Sequence, residues 1–151
     1  MTAPALPAPR TSARTLMAHL DEDLAGLERA RSLLAEGERT AGTSPREAFE
    51  LVHRAALRGA GVLVQRANRE RRRRLPLNVW TALERLGGES AERAVQMAPL
   101  VAERARLERC PEAAPDPDLL RCHIEHTGRH LAVVSQQILD GMPQGVAALA
   151  G

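Results

Sequence analysis

The chain has 151 residues, 44% of them apolar and 26% charged, which suits a single globular domain with a hydrophobic core. A formal net charge of +2 gives no global field that would call for nucleic acid or a membrane, and no apolar run approaches the roughly 18 residues of a membrane helix. All 21 basic residues are arginine and the only aromatics are Phe49 and Trp80, so the core must be built from Leu, Val and Ala, a composition for packed helices and not for strands.

Residues 1–12 hold three prolines and several small residues and read as a disordered leader. The opening MTAPALPAPRTSAR has no apolar h-region, so Cys110 and Cys122 are expected to be reduced thiols of a cytoplasmic protein. A helical period then begins at Ser12. Leu16, Leu20, Leu24, Leu27 and Leu34 recur at steps of three, four and seven, and Gly37 stands where a C-terminal stop is expected.

Ser44-Pro45-Arg46-Glu47 has the form of a capping box with proline at the first helical position. Phe49, Val52, Ala56, Gly59 and Leu63 follow as one stripe, and Ala56, Gly59, Ala60 and Gly61 would admit a neighbouring helix closely. This second helix is expected to run through the arginine stretch until Pro76 stops it. Asn78 then caps a short helix, Val79 to Leu86, with Val79, Trp80, Leu83 and Leu86 on one side and Trp80 as a core anchor.

Gly87-Gly88 breaks that helix. A fourth runs from about Ser90 to Arg109, with Ala91, Val95, Ala98, Ala102 and Ala105 on its apolar face and Pro99 inside as an expected kink. After the loop at Cys110, Asp116 caps and Pro117 begins a fifth helix that ends near Gly141. The expected architecture is all-α: a bundle of four long helices and one short one over residues 13–141, with 142–151 as a flexible tail.

Three histidines and a cysteine fall within nine residues of the fifth helix, in Cys122-His-Ile-Glu-His-Thr-Gly-Arg-His130. At about 100° per residue, Leu120, Ile124, Thr127, Leu131, Val134 and Ile138 form the core stripe, with Arg121, Glu125 and Arg129 on the solvated face. His123, His126 and His130 lie along one flank of the stripe, where an imidazole can bury its ring and keep a nitrogen wet. His126 and His130 at i, i+4 are a possible pair of zinc ligands, yet no H-E-x-x-H is present, and neither a metal nor a cofactor is expected.

Arg66, Arg69, Arg71, Arg72, Arg73 and Arg74 stand against a single acid, Glu70. Such a run neutralises phosphates without reading sequence, and it makes RNA or another polyanion a candidate partner. Part of the run is equally explained as cationic side chains that complement a helix C-terminus. No aromatics interleave to stack on bases.

The pattern as a whole resembles the HEPN superfamily, and within it a small Ala- and Arg-rich bacterial subfamily. The segments that carry the resemblance are Arg46 to Arg66 (REAFELVHRAALRGAGVLVQR), the arginine loop, Asn78-Val-Trp-Thr-Ala-Leu-Glu-Arg-Leu, and the Ala-rich helix after it. The resemblance implies a helical bundle that forms a homodimer, and many members are metal-independent RNases whose Arg-x4-6-His motif assembles across two subunits. That motif falls on Arg121 and His126. The two are about 140° apart on an ideal helix, so a partner subunit must supply one of them. Active members place a polar residue after the arginine, whereas Cys122 stands here.

The leading expectation is therefore a non-catalytic module associated with nucleic acid or with a protein partner. The first alternative is a metal-independent endoribonuclease using Arg121 and His126 across a homodimer. The second is a structural helical protein with no polyanion ligand.

Overall fold

A computed structural model describes residues 12–142, so the expected leader and tail lie almost wholly outside the described residues. Five helices and no strand occur among those residues: α1 (Ala13–Thr40), α2 (Pro45–Asn68), α3 (Val79–Leu86), α4 (Gly88–Arg109) and α5 (Pro117–Asp140). The all-α bundle of four long helices and one short one is the observed architecture.

Local chemistry accounts for most of the boundaries. The Ser12 hydroxyl accepts from the Thr15 amide at 3.1 Å and starts α1. Asn78 accepts from the amides of Trp80 and Thr81 at the head of α3, and Asp116 from those of Asp118 and Leu119 at the head of α5. Gly87, at φ +72°, joins α3 directly to α4 in a conformation that side chains disfavour.

Several boundaries and faces differ from the sequence expectation. The Ser44 side chain makes no capping hydrogen bond, so α2 begins on Pro45 alone and the capping box is not formed. Gly37 does not end α1, which continues a further turn to Thr40; it lies buried inside the helix, against α2. Pro76 does not end α2, which stops at Asn68. Continuing the helix would have stacked arginines at i, i+3 and i+4, where like charges repel. The Asn68 side-chain oxygen instead accepts from the Leu75 amide at 2.8 Å and closes a loop over the arginines.

Helix α2 packs against each of the other four helices. Its approach to α1 and α5 is close because glycines stand at the crossings. A Cβ on Gly37 would lie 2.7 Å from Val52 Cγ2, one on Gly26 2.9 Å from Val62 Cγ2, and one on Gly59 2.6 Å from Leu131 Cδ2. The expected α2 stripe of Phe49, Val52, Ala56, Gly59 and Leu63 is buried throughout. Gly61, by contrast, faces open space.

Helix α4 buries a different face from the one its sequence suggested. Ala94, Met97, Leu100, Glu103 and Leu107 point inward, while Ala98 and Ala102 are exposed and Val95 is 71% exposed. The longer side chains fill the space beside α2 better than the alanines would, and they overrule the alanine periodicity. Buried Glu103 is held by Arg106 and by the Asp116 amide, and so ties the end of α4 to the start of α5. The Arg46 guanidinium donates to the carbonyls of Leu107, Cys110 and Ala113, capping α4 from the first turn of α2. Trp80 is half-buried and packed against two clusters of the core.

Gly37→Val tests the crossing of α1 and α2. An open helical glycine gains stability when replaced, whereas an overpacked crossing loses about 1–3 kcal/mol. Equilibrium denaturation is expected to show the loss, and a gain would place Gly37 away from the interface.

Candidate functional site

Two regions carry the expected site residues: the histidine flank of α5 and the arginine loop between α2 and α3. The structure buries two of the three α5 histidines more deeply than their boundary position suggested. His123 and His130 are 0% and 1% exposed, and only His126 stays half-buried at the edge. The reason is that α2 covers this flank of α5 as well as the stripe itself, so the buried arc is wider than the apolar residues alone mark out.

His53, on α2, meets His123 there. Its Nδ1 lies 3.3 Å from His123 Nε2, and His123 Nδ1 lies 3.1 Å from the Thr127 hydroxyl. Both rings can be neutral in such a chain, with one proton between the two ring nitrogens and one between His123 Nδ1 and the Thr127 hydroxyl. Phe49 stands edge-on to His123 at 4.9 Å between ring centroids, and Trp80 edge-on to His53 at 6.5 Å. The two aromatics of the protein thus enclose its buried imidazole pair. His130 packs over Gly59, and neither of its nitrogens has a partner among the described residues.

Burial pulls all these imidazoles towards the neutral form. It takes His53 down to about 4, with the Arg104 cation adding to the effect. His123 goes down to about 3, by burial and then by the neighbouring His53. His130 also goes down to about 3, by burial and then by Arg93. His126 is lowered too, by burial and then by Arg129 and Arg93.

Arg121 and His126 are not brought together within one chain. Arg121 is exposed and pairs with Asp118 one turn earlier, on the solvated face that also carries Glu125 and Arg129. The cation beside His126 is Arg93 of α4, which donates to the His126 carbonyl at 3.1 Å. Its presence was not legible in the sequence, since nothing in α4 marks Arg93 among the other arginines. His53 was half legible: it sits one turn from Phe49 and Ala56 on the buried face, but its pairing with a residue 70 positions away was not. Among the described residues no three His, Cys, Asp or Glu side chains converge as a metal site.

The arginine stretch divides in two. Arg66 and Arg69 turn back to α1, where buried Asp23 takes Arg69 at 2.9 Å and Arg66 at 3.5 Å, and Glu22 takes Arg69 at 3.1 Å. Arg71, Arg72, Arg73 and Arg74 lie beyond the helix, all exposed and none in an ion pair with a described residue. Leu75 is buried and pins the far end of this run. A cleft of about 670 Å³ adjoins Asp23, Arg66 and Arg69 between α1 and the end of α5, and neither His126 nor the four exposed arginines line it.

The buried histidines make stability depend on pH. Their folded values lie below the ordinary 6.5, so the unfolded chain takes up protons that the folded chain refuses. Stability is complete above about pH 6.5 and falls as pH drops towards 4, each histidine contributing up to about 1.4 kcal/mol per pH unit. Denaturation at pH 7, 6 and 5 is expected to show this steepening loss, and a flat profile contradicts it. His130→Leu removes two unpartnered nitrogens, so it is expected to hold or raise stability at pH 7 and to make the acid loss shallower.

No helix of the described residues is long and apolar enough to cross a membrane. No curated protein and no solved structure matches the chain. The sequence model of the SAV_6107-like HEPN family matches residues 35–135 of the 151, from the last turns of α1 to most of α5, and the chain belongs to that HEPN family.

Proposed function

We propose that this HEPN protein is a nucleic-acid-associated module that contacts phosphates through Arg71, Arg72, Arg73 and Arg74. The observation that carries the reading is the state of those four side chains. They are consecutive, exposed and outside α2, on a loop fixed at both ends by Asn68 and Leu75. Complementing the α2 dipole does not account for them, because the effect fades within the last helical turn. Guanidinium groups match phosphate oxygens in geometry as well as charge. Arg66 and Arg69, also expected at the interface, are engaged by Asp23 and Glu22 and in this reading brace the base of the loop.

Binding of a generic RNA oligonucleotide is expected to weaken linearly in log salt, and Arg72→Gln with Arg73→Gln to reduce the slope by about 1–2. Arg69→Gln is expected to lower folding stability instead, by breaking its contact with buried Asp23. Absence of binding at low salt would overturn the reading.

The endoribonuclease reading has one observation in its favour: His126 is the member of the histidine cluster that is half-buried and not fully enclosed. It requires a homodimer, since Arg121 meets Asp118 and not His126 within the chain. In that mechanism His126 would move the 2′-hydroxyl proton and Arg121 would stabilise the phosphorane charge. Cleavage resistant to a chelator, lost in both Arg121→Ala and His126→Ala and partly restored by mixing the two, would establish it. The expected outcome is that RNA is left intact.

A further inference from the structure

Leu77 is 105% exposed, against 71% for Val95, the next most exposed of the large apolar residues described. Its neighbours leave it no route inward. Two residues before it, Leu75 is 6% exposed and its amide is held by Asn68. Immediately after it, Asn78 is committed to capping α3 through the amides of Trp80 and Thr81. Pro76 between them fixes its own φ and lacks an amide donor. The leucine is therefore held out by a braced segment, three residues after the last of four exposed arginines.

We propose that Leu77 is the apolar contact by which the arginine loop prefers unpaired to paired nucleic acid, an inference that rests on the phosphate-binding reading of Arg71 to Arg74. A polyanion that also offers apolar surface is what this loop fits. Single-stranded RNA or DNA presents base faces next to its phosphates, whereas a duplex hides those faces in its stack. A leucine side chain offers apolar area against which an unstacked base face can be buried. With no aromatic residue in the loop, Leu77 is its one exposed apolar group large enough to cover a base, beside guanidinium planes that stack on bases themselves. An acidic peptide supplies charge but no such faces.

The experiment compares a short oligouridylate with an RNA duplex of equal length, using the full chain and Leu77→Ser. Because Leu77 touches no core cluster, the variant is expected to keep the wild-type thermal midpoint. Wild type should bind the single strand more tightly than the duplex at the same salt. Leu77→Ser should weaken single-strand binding about tenfold, the effect of re-exposing much of one leucine side chain, with duplex affinity and salt slope unchanged. If the variant binds both RNAs like wild type, the role of Leu77 is overturned while the arginine reading stands. If wild type binds neither, both are overturned. Tighter binding to an oligoglutamate, weakened by Leu77→Ser, would assign the surface to an acidic protein partner and also overturn the proposal.

Discussion

The fold depends on how closely α2 lies against α1 and α5. A core with one phenylalanine and one tryptophan has few large side chains to fill space, so its helices must come together over small residues. Gly26 and Gly37 permit this towards α1, and Gly59 towards α5. The cost of helical glycine, about 1 kcal/mol each relative to alanine, is offset by the contacts that the close approach brings to Val52, Val62 and Leu131.

The same closeness explains the imidazoles. Where α2 presses on α5, the side chains between them include His53, His123 and His130. Leucine would satisfy the packing, but the His53–His123–Thr127 chain adds directional contacts that fix the rotation of α5 relative to α2. Burial holds all three histidines towards the neutral form and away from solvent. Of the α5 histidines, His126 alone stays half-buried at the edge, with Arg93 and Arg129 nearby.

The sequence revealed elements wherever the chemistry is local. Asn78 and Asp116 marked helix starts, the stripe from Phe49 to Leu63 marked the buried face of α2, and the resemblance to HEPN proteins rested on Arg46 to Arg66, the arginine loop, Asn78 to Leu86 and the Ala-rich helix after it. It failed where a partner helix decides. Alanines in α4 recur at helical spacing, yet Met97, Leu100 and Leu107 fill the interior better and turn the alanines outward. Gly37 looks like a stop until α1 and α2 are seen to cross there. Within the arginine stretch, charge alone did not distinguish Arg66 and Arg69 from the rest. Asp23, some forty residues earlier, engages those two and leaves Arg71 to Arg74 facing solvent.

Three of the histidines are committed to the interior, and four consecutive exposed arginines stand on one braced loop, the observation on which the proposed function rests. The most direct test is to map where a short single-stranded RNA touches the protein, by following backbone amide resonances during a titration. The account predicts shifts concentrated in residues 70–78, with α5 little changed. Shifts centred on Arg93, His126 and Arg129, with the loop unperturbed, would contradict it.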